Sequence, residues 1–578
     1  MAHDEHPGRP PPLSRAPSYL QFAPRRAIAS FENLVVLANY EERLRGARMI
    51  VWRDRGEKPV ELDDLWECLE HASRGAARAG GVGFAIRAGV NLILLLTRIK
   101  RIPKSQRLAV IQHALFGEDC FRFAGMLGSF VGLYKLILNA LPILLPKPLP
   151  YDADDTPNFR ASLRASAPKN LSAPDDPFVE GSSTDDANML TVPRASRQAR
   201  LSTNAQAHQQ WVRKKTRRWY SILAGAIAGA VAVGFEKEGR RTTIAQQLFV
   251  RGLQGSYNTF SARSGYSLPH GDVLLFSLCC GQILYSFLIR PDTLPPAYVN
   301  WMSHACKVHP SAVSVNRDLV TEGHFKIPDL DYIINRKDIA PGNLTELLER
   351  KRLAQLPTPD FGTLVGPCAT IHPRIESCTY VQLERFFVVV RWMLPIYGAL
   401  TVIPMLLFKR KAVMREPVRM LVKALAGTVR SSSFLGVFVV LFQSFNCGKY
   451  NLYNLLTSFR SSPTPSLLST LARFIPQKLV DVLIQKPSFW LGGALSGLSL
   501  FVEEAHRREE LAMYVLPRGL EGAWGVLRDR GLVRGMGSAG DVLLTSIGMG
   551  MVMSIYQNDP QHLSGLVRRI LYQFVGPN

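Results

Sequence analysis

The feature that most constrains this chain is a glycine-spaced apolar run that ends in an acid–base junction, continues as a helical segment, and occurs twice. Residues 225–257 read GAIAGAVAVGFEKEGRRTTIAQQLFVRGLQGSY, and residues 492–524 read GGALSGLSLFVEEAHRREELAMYVLPRGLEGAW. With one constant offset and no gap, Arg240 pairs with Arg507, Arg241 with Arg508, Ala245 with Ala512 and Arg251 with Arg518. The same offset pairs Gly252 with Gly519, Leu253 with Leu520 and Gly255 with Gly522. These 7 identities in 18 positions include charged residues, which a shared apolar composition does not explain. Upstream, Gly225 meets Gly492 and Glu236 meets Glu503. A second block, GDVLLFS with Asp272, returns as GDVLLTS with Asp541, and LGSFVGL at 127–133 resembles LGVFVVL at 435–441. Blocks that recur in the same order predict two tandem homologous halves.

Composition then says what the halves are made of. The 578 residues are 47% hydrophobic and 20% charged, and the mean hydropathy of +0.03 averages long apolar runs with very polar connectors. Apolar runs approaching ~20 residues read as membrane spans. The net charge is +23, and the Lys and Arg residues gather at the ends of the apolar runs. That placement fits membrane flanks and anionic lipid, and with no nucleic-acid-binding motif present a nucleic-acid partner is not expected. The 8 Cys form no CxxC pair and no disulfide framework, and no cofactor motif is present.

The predicted class is all-α: a multipass membrane protein with glycine-rich helix packing. Residues 1–30 read as a disordered tail without a secretory signal, and 31–75 as amphipathic, interfacial helices. The first membrane half, 76–290, carries spans near 82–98, 121–145, 219–235 and 270–289, interrupted by a disordered linker at 147–210. A polar connecting segment follows at 291–380. The second half, 381–560, carries spans near 386–408, 432–446, 488–502 and 541–556, and 561–578 is a C-terminal tail. Four spans per half make about eight and bring both halves in from one side, as parallel repeats about an axis along the membrane normal. Gly128 with Gly132, Gly225 with Gly229, and Gly281 and Gly492 are the expected close-packing positions.

Several polar residues stand out. Glu236 precedes Arg240 by four, as Glu503 precedes Arg507, the favourable order for a helical pair and a candidate clamp at the membrane boundary. Arg87 and Lys135 fall inside apolar runs, where a cation is costly and faces a partner or cavity. Arg87 is near enough to its span's start to reach the headgroups, whereas Lys135 is deeper and points to a groove or inter-helix role. The segment from Arg213 to Tyr220 is basic and aromatic and suits anionic lipid. In the connecting segment, His304, Cys306, His309, Cys368, His372 and Cys378 have spacings that match no standard metal site; they read as scattered loop residues, and no metal is expected. An intramembrane enzyme would need paired acids or a Ser/His set. Glu503, Glu504 and His506 come nearest, but only the Glu recurs in the repeat, so a non-enzymatic protein is expected. Asn170 and Asn343 head glycosylation sequons by pattern only.

The segments GAIAGAVAVGFEKEGRRTTIAQQLFVRGL, HGDVLLFS, IRPDTLPPAYVNW, CTYVQLERFFVVVRWMLPIYGAL, SSFLGVFVVLFQS and GDVLLTS, spread from about 80 to 560, resemble the transmembrane protein 135 family. Glycine-rich spans followed by Arg-Arg and an Arg-Gly-Leu helix are also similar, at the level of fold, to the superfamily of mitochondrial inner-membrane import translocases and peroxisomal membrane proteins. The resemblance implies a multipass protein of mitochondria or peroxisomes, acting in organelle dynamics or in lipid, metabolite or protein transport. It brings no catalytic residues and implies a concave, glycine-packed wall. The alternative is a membrane tether that recruits partners through the linker and the basic interfacial segment.

Overall fold

The computed structural model describes residues 62, 64–96, 99, 103–145, 217–408, 410–462 and 467–576. The 1–30 tail, the 147–210 linker with Asn170, and Arg213 lie outside the described residues. Among them all regular secondary structure is helical, and there is no strand. Six helical segments are long and apolar enough to cross a membrane: Leu65–Leu96, Arg107–Leu144, Gly271–Ile289, Cys378–Ile403, Pro417–Ser461 and Gly537–Asn558. Arg218–Gly234 is apolar but shorter.

Helix α1, Leu65–Leu96, runs without a break through the expected boundary between interfacial and spanning residues. Two of its glycines pack closely: a Cβ on Gly83 would lie 2.9 Å from the Leu127 side chain, and one on Gly75 3.0 Å from the Lys135 side chain. After α2, Arg107–Phe116, the chain turns at Gly117 into α3, Glu118–Leu144, whose first turn carries Glu118 and Asp119 at the positive end of the helix dipole. Helices α4, Arg218–Gly234, and α5, Glu238–Ser264, follow. Gly265, in the left-handed region at φ +73°, stops α5, and α6 spans Gly271–Ile289.

The 291–380 segment folds into a small helical domain instead of forming an open connection. Helices α7, Pro296–Cys306, α8, Pro310–Glu322, α9, Ile327–Ile334, and α10, Pro341–Ala354, each place a proline in the first turn, where its missing N–H costs nothing. Short α11, Cys368–Ile371, closes the domain. Ala312, Val315, Leu319, Phe325, Leu330, Ile333 and Leu347 form its core. Each short helix buries only a narrow stripe, so the composition reads as polar although the domain has a buried centre.

The second membrane region departs further from the expected spans. Helix α12 is Cys378–Phe408, α13 is Arg410–Arg415, and α14 is Pro417–Ser461, 45 residues that absorb the short 432–446 run. Helices α15, Leu467–Phe474, and α16, Gln477–Val482, are short. The run expected at 488–502 is split: α17, Lys486–Ser496, tightens into a 3-10 turn at Gly497–Val502. That turn is pressed onto a neighbour, since a Cβ on Gly497 would sit 2.4 Å from the Ser277 Cα of α6. Helices α18, Ala505–Asp529, α19, Gly537–Asn558, and α20, Gly565–Phe574, complete the chain. The expected C-terminal tail is therefore folded: Leu563, Val567, Leu571, Phe574 and Val575 pack into the apolar cluster of Tyr134, Tyr220 and Met553.

The packing order is not the chain order. Helix α1 lies on α3, α3 on α4, α4 on α19, and α19 on α5. In the other layer α12 lies on α14, α14 on α17, α17 on α6, and α6 on α18. Helices α6 and α19 thus leave their sequence neighbours and seat in the opposite layer. Outward faces carry large apolar side chains, among them Ile93 and Leu96 on α1, Phe387 and Ile403 on α12, and Leu421, Val422 and Leu425 on α14. Such continuous apolar surface is compatible with an integral membrane protein.

Candidate functional site

Three groups of polar residues stand inside this apolar frame, at the paired helix junctions, in the α1–α3 seam, and at the face where the small domain meets α12 and α14, beside others such as Asp559 with Arg218 and Arg263.

At the first junction Glu236 is buried between the end of α4 and the start of α5. Its Oε1 accepts from Arg240 Nε at 2.9 Å and from the Lys237 amide at 3.0 Å. Arg241 donates back to the Glu236 carbonyl and the Gly234 carbonyl, both at 2.7 Å, and so covers carbonyls left open at the end of α4. Lys237 Nζ, 2.6 Å away, and Arg240 also reach Asp119 at the start of α3. The second junction repeats these bonds. Glu503 is buried and pairs with Arg507 at 3.0 Å; Arg508 donates to the Glu503 carbonyl at 2.9 Å and to the Phe501 carbonyl at 3.0 Å. Here Ser431 of α14 takes the bridging place, donating to Glu503 at 3.1 Å and accepting from Arg507 at 2.8 Å. Glu503 and Glu504 are both held in ion pairs, Glu503 with Arg507 and Glu504 with Arg430.

Further along α5, Arg251 donates to Gln254 at 2.8 Å, and on α18 Arg518 pairs with Glu521. Gln254 reaches Glu509 across the α5–α18 contact at 2.6 Å. Asp541 accepts from Thr242 at 2.9 Å, tying α19 to α5; Asp272, its counterpart in sequence, lies in the first turn of α6. All six glycines expected at close contacts touch another helix: Gly128 and Gly132 meet α1, Gly225 and Gly229 meet Met549 on α19, Gly281 meets Trp490 on α17, and Gly492 meets Phe445 on α14.

In the α1–α3 seam, fully buried Lys135 lies 2.9 Å from the His71 imidazole. Arg87 pairs with Asp119, in the first turn of α3, at 3.5 Å. A further buried cation was missed: Lys449 of α14 donates to Ser488 at 3.0 Å and lies against the Phe489 ring. No sequence signal distinguished it from the flank lysines around it.

The third place corrects the reading of scattered thiols. Cys368, His372, Cys378 and Cys447 converge so that one atom of each lies within 4.8 Å of all the others. Cys368 opens α11, Cys378 opens α12, and Cys447 reaches in from the middle of α14. The His372 loop is organised by buried Asn343, whose amide donates to the carbonyls of His372 at 3.1 Å, Pro373 at 3.0 Å and Ile375 at 3.1 Å. This occupation leaves the Asn343 sequon inaccessible to a glycan. Beside the cluster is a cavity of about 350 Å³ lined by Lys307, His309, Arg336, Arg374 and Arg385, with Asp338 and Glu384 as the acids. Burial, and after it the nearby Arg385, pushes Lys307 down; burial, and after it Arg336, pushes His309 down against an opposing pull from Asp329. His304 and Cys306 stay apart from the thiol cluster: His304 meets Trp392 edge to face.

Comparison of the chain with protein-family models, with curated proteins and with solved structures gave no match.

Proposed function

We propose that the chain is a non-enzymatic integral membrane protein of mitochondria or peroxisomes, built from two tandem four-span halves, that moves or organises lipid or small metabolites at that membrane and so acts in organelle dynamics. The halves interleave by exchanging their fourth spans, α6 and α19. Matched contacts support this architecture. Gly252 abuts Gly548 on α19, while its repeat partner Gly519 abuts Cys279 on α6. Gly548 and Cys279 each stand seven residues after the aspartate of their GDVLL block. Gly255 meets Ile555 and Gly522 meets Ser286, again at equal distances past Asp541 and Asp272. The resemblance to the transmembrane protein 135 family supports the organelle and the lipid-handling role.

The observation that carries the transport reading is Lys135. A cation fully buried with an imidazole between two helices whose other faces suit lipid marks a polar path or a stabilised joint. Density-gradient fractionation followed by alkaline carbonate extraction tests the first part. Retention in the membrane pellet of a mitochondrial or peroxisomal peak supports it, and release into the carbonate supernatant overturns it. Flux of a fluorescent lipid or solute in proteoliposomes tests the second; if Lys135→Ala leaves flux unchanged while the protein stays folded, the path does not pass that residue.

A tether is the second reading, and the folded domain at 296–371 favours it, because a compact extramembrane unit offers a surface for a partner. Deleting 150–208 separates the two: a tether that works through the linker fails, and a carrier persists.

A further inference from the structure

The geometry points to a structural Cys3His zinc site formed by Cys368, His372, Cys378 and Cys447, which pins the extramembrane domain to α12 and α14. Zinc binds thiolates at about 2.3 Å and imidazole at about 2.0–2.1 Å in tetrahedral structural sites, so its ligand atoms stand roughly 3.4–3.8 Å from one another. The four donor atoms here lie within 4.8 Å of one another, and Cys378 Sγ is 3.5 Å from His372 Nε2. Small movements of side chains, not of helices, close that difference.

The surroundings are those of a metal site. His372 Nδ1 lies 2.6 Å from the Ile375 carbonyl. That contact assigns the proton to Nδ1 and turns the Nε2 lone pair toward the thiols, the outer hydrogen bond that metal-bound histidines carry. Asn343 fixes the backbone that presents the imidazole. Asn451 donates toward Cys378 Sγ at 3.7 Å and Gln382 toward Cys447 Sγ at 3.9 Å, contacts that favour thiolates. Cys447 and Asn451 stand four apart on one face of α14, as do Cys378 and Gln382 on α12. Three sulfurs and one nitrogen select a soft or borderline cation over magnesium or calcium. Four protein donors leave no open position, so the site is structural and not catalytic.

Binding releases three protons: Zn2+ takes the place of the thiol hydrogens of Cys368, Cys378 and Cys447 and accepts the neutral His372 Nε2 lone pair. The resulting unit carries one negative charge. The cavity that His372 also lines holds Lys307, Arg336, Arg374 and Arg385 against the acids Asp338 and Glu384, an excess of positive charge beside the anionic unit.

The test uses the full chain purified in detergent with no added metal or chelator. Elemental analysis is expected to find about one zinc per chain, lost in Cys447→Ser and kept in Cys306→Ser, whose thiol is outside the cluster. Exchange with cobalt is expected to produce a sulfur-to-metal charge-transfer band. Should Cys447→Ser fail to accumulate, alkylation of the wild type decides: zinc protects Cys368, Cys378 and Cys447, and a chelator exposes all three. Metal-free wild type with three freely alkylated thiols, an intact mass showing a disulfide among them, or zinc retained by Cys447→Ser would each overturn the site. A metal-free chain that still resists carbonate extraction refutes the zinc site alone and leaves the membrane reading untouched.

Discussion

At the scale of single residues, glycine position and buried charge carry most of the specificity. A Cβ on Gly548 would lie 2.7 Å from the Phe249 backbone nitrogen, and backbone cannot step aside as a flexible side chain can. Gly548→Ala is therefore expected to destabilise by about 2 kcal/mol through overpacking. Gly81, also within a helix, has nothing within 4 Å of its would-be Cβ. Gly81→Ala should be neutral or stabilise by up to about 1 kcal/mol. Thermal unfolding in detergent reads both, and equal effects would contradict the packing described. The paired acids give a second contrast. Glu503→Gln removes the charged acceptor of Arg507 at a buried position and should cost about 1.5–3 kcal/mol. Glu504→Gln removes a half-exposed partner of Arg430 and should cost about 0–1 kcal/mol.

The clamps were legible before folding because both partners sit four residues apart on one helix. The thiol cluster was not. Its fourth member, Cys447, stands in the middle of an apolar helix, far in sequence from Cys378, and no CxxC marks the others. Lys449 was illegible for the same reason: its neighbours Ser488 and Phe489, from another helix, set it apart.

At the scale of elements, the placement of α6 and α19 is the decisive feature. A Cβ on Gly550 of α19 would lie 3.5 Å from the Ala226 Cβ of α4, within the range a disulfide bridges. In a background without native thiols, Ala226→Cys with Gly550→Cys should cross-link under mild oxidant. Cleavage at a protease site inserted after α10 should then leave the two fragments joined. Separated fragments would mean α19 packs with its own sequence neighbours. A smaller link joins α6 to α18: Arg290 binds Asp292 at 2.9 Å and also pairs with Asp529. The Arg290 hydrogen bond holds the Asp292 carboxyl below the usual range, with burial opposing it. A depressed folded-state value contributes stability that is complete above the ordinary aspartate range of about 3.9 and is lost as pH falls through the depressed one. The melting difference between wild type and Asp292→Asn should accordingly shrink between pH 7 and pH 3, and a difference that grows on acidification would reverse the sign. The broken span at 488–502 belongs to this scale too. Hydropathy read it as one run, whereas the approach of Gly497 to Ser277 tightens it into a 3-10 turn.

At the scale of the whole molecule, an apolar helical body carries a small folded domain on one face. If zinc joins them, chelation should raise hydrogen exchange in 368–380 while leaving the α4–α19 seam protected. Uniform loosening would mean that the domain and the spans unfold together. The all-helical class, the apolar runs, the glycine contacts and the two acid–base junctions were determined by the sequence itself, because each is written in spacings of one helical turn or in run length. Which layer receives α6 and α19, that the connecting segment has a core, that the final residues fold back, and that three thiols meet an imidazole were decided only by tertiary structure. Each of those depends on pairing between elements distant along the chain, and neither periodicity nor composition records which distant surface a helix will meet.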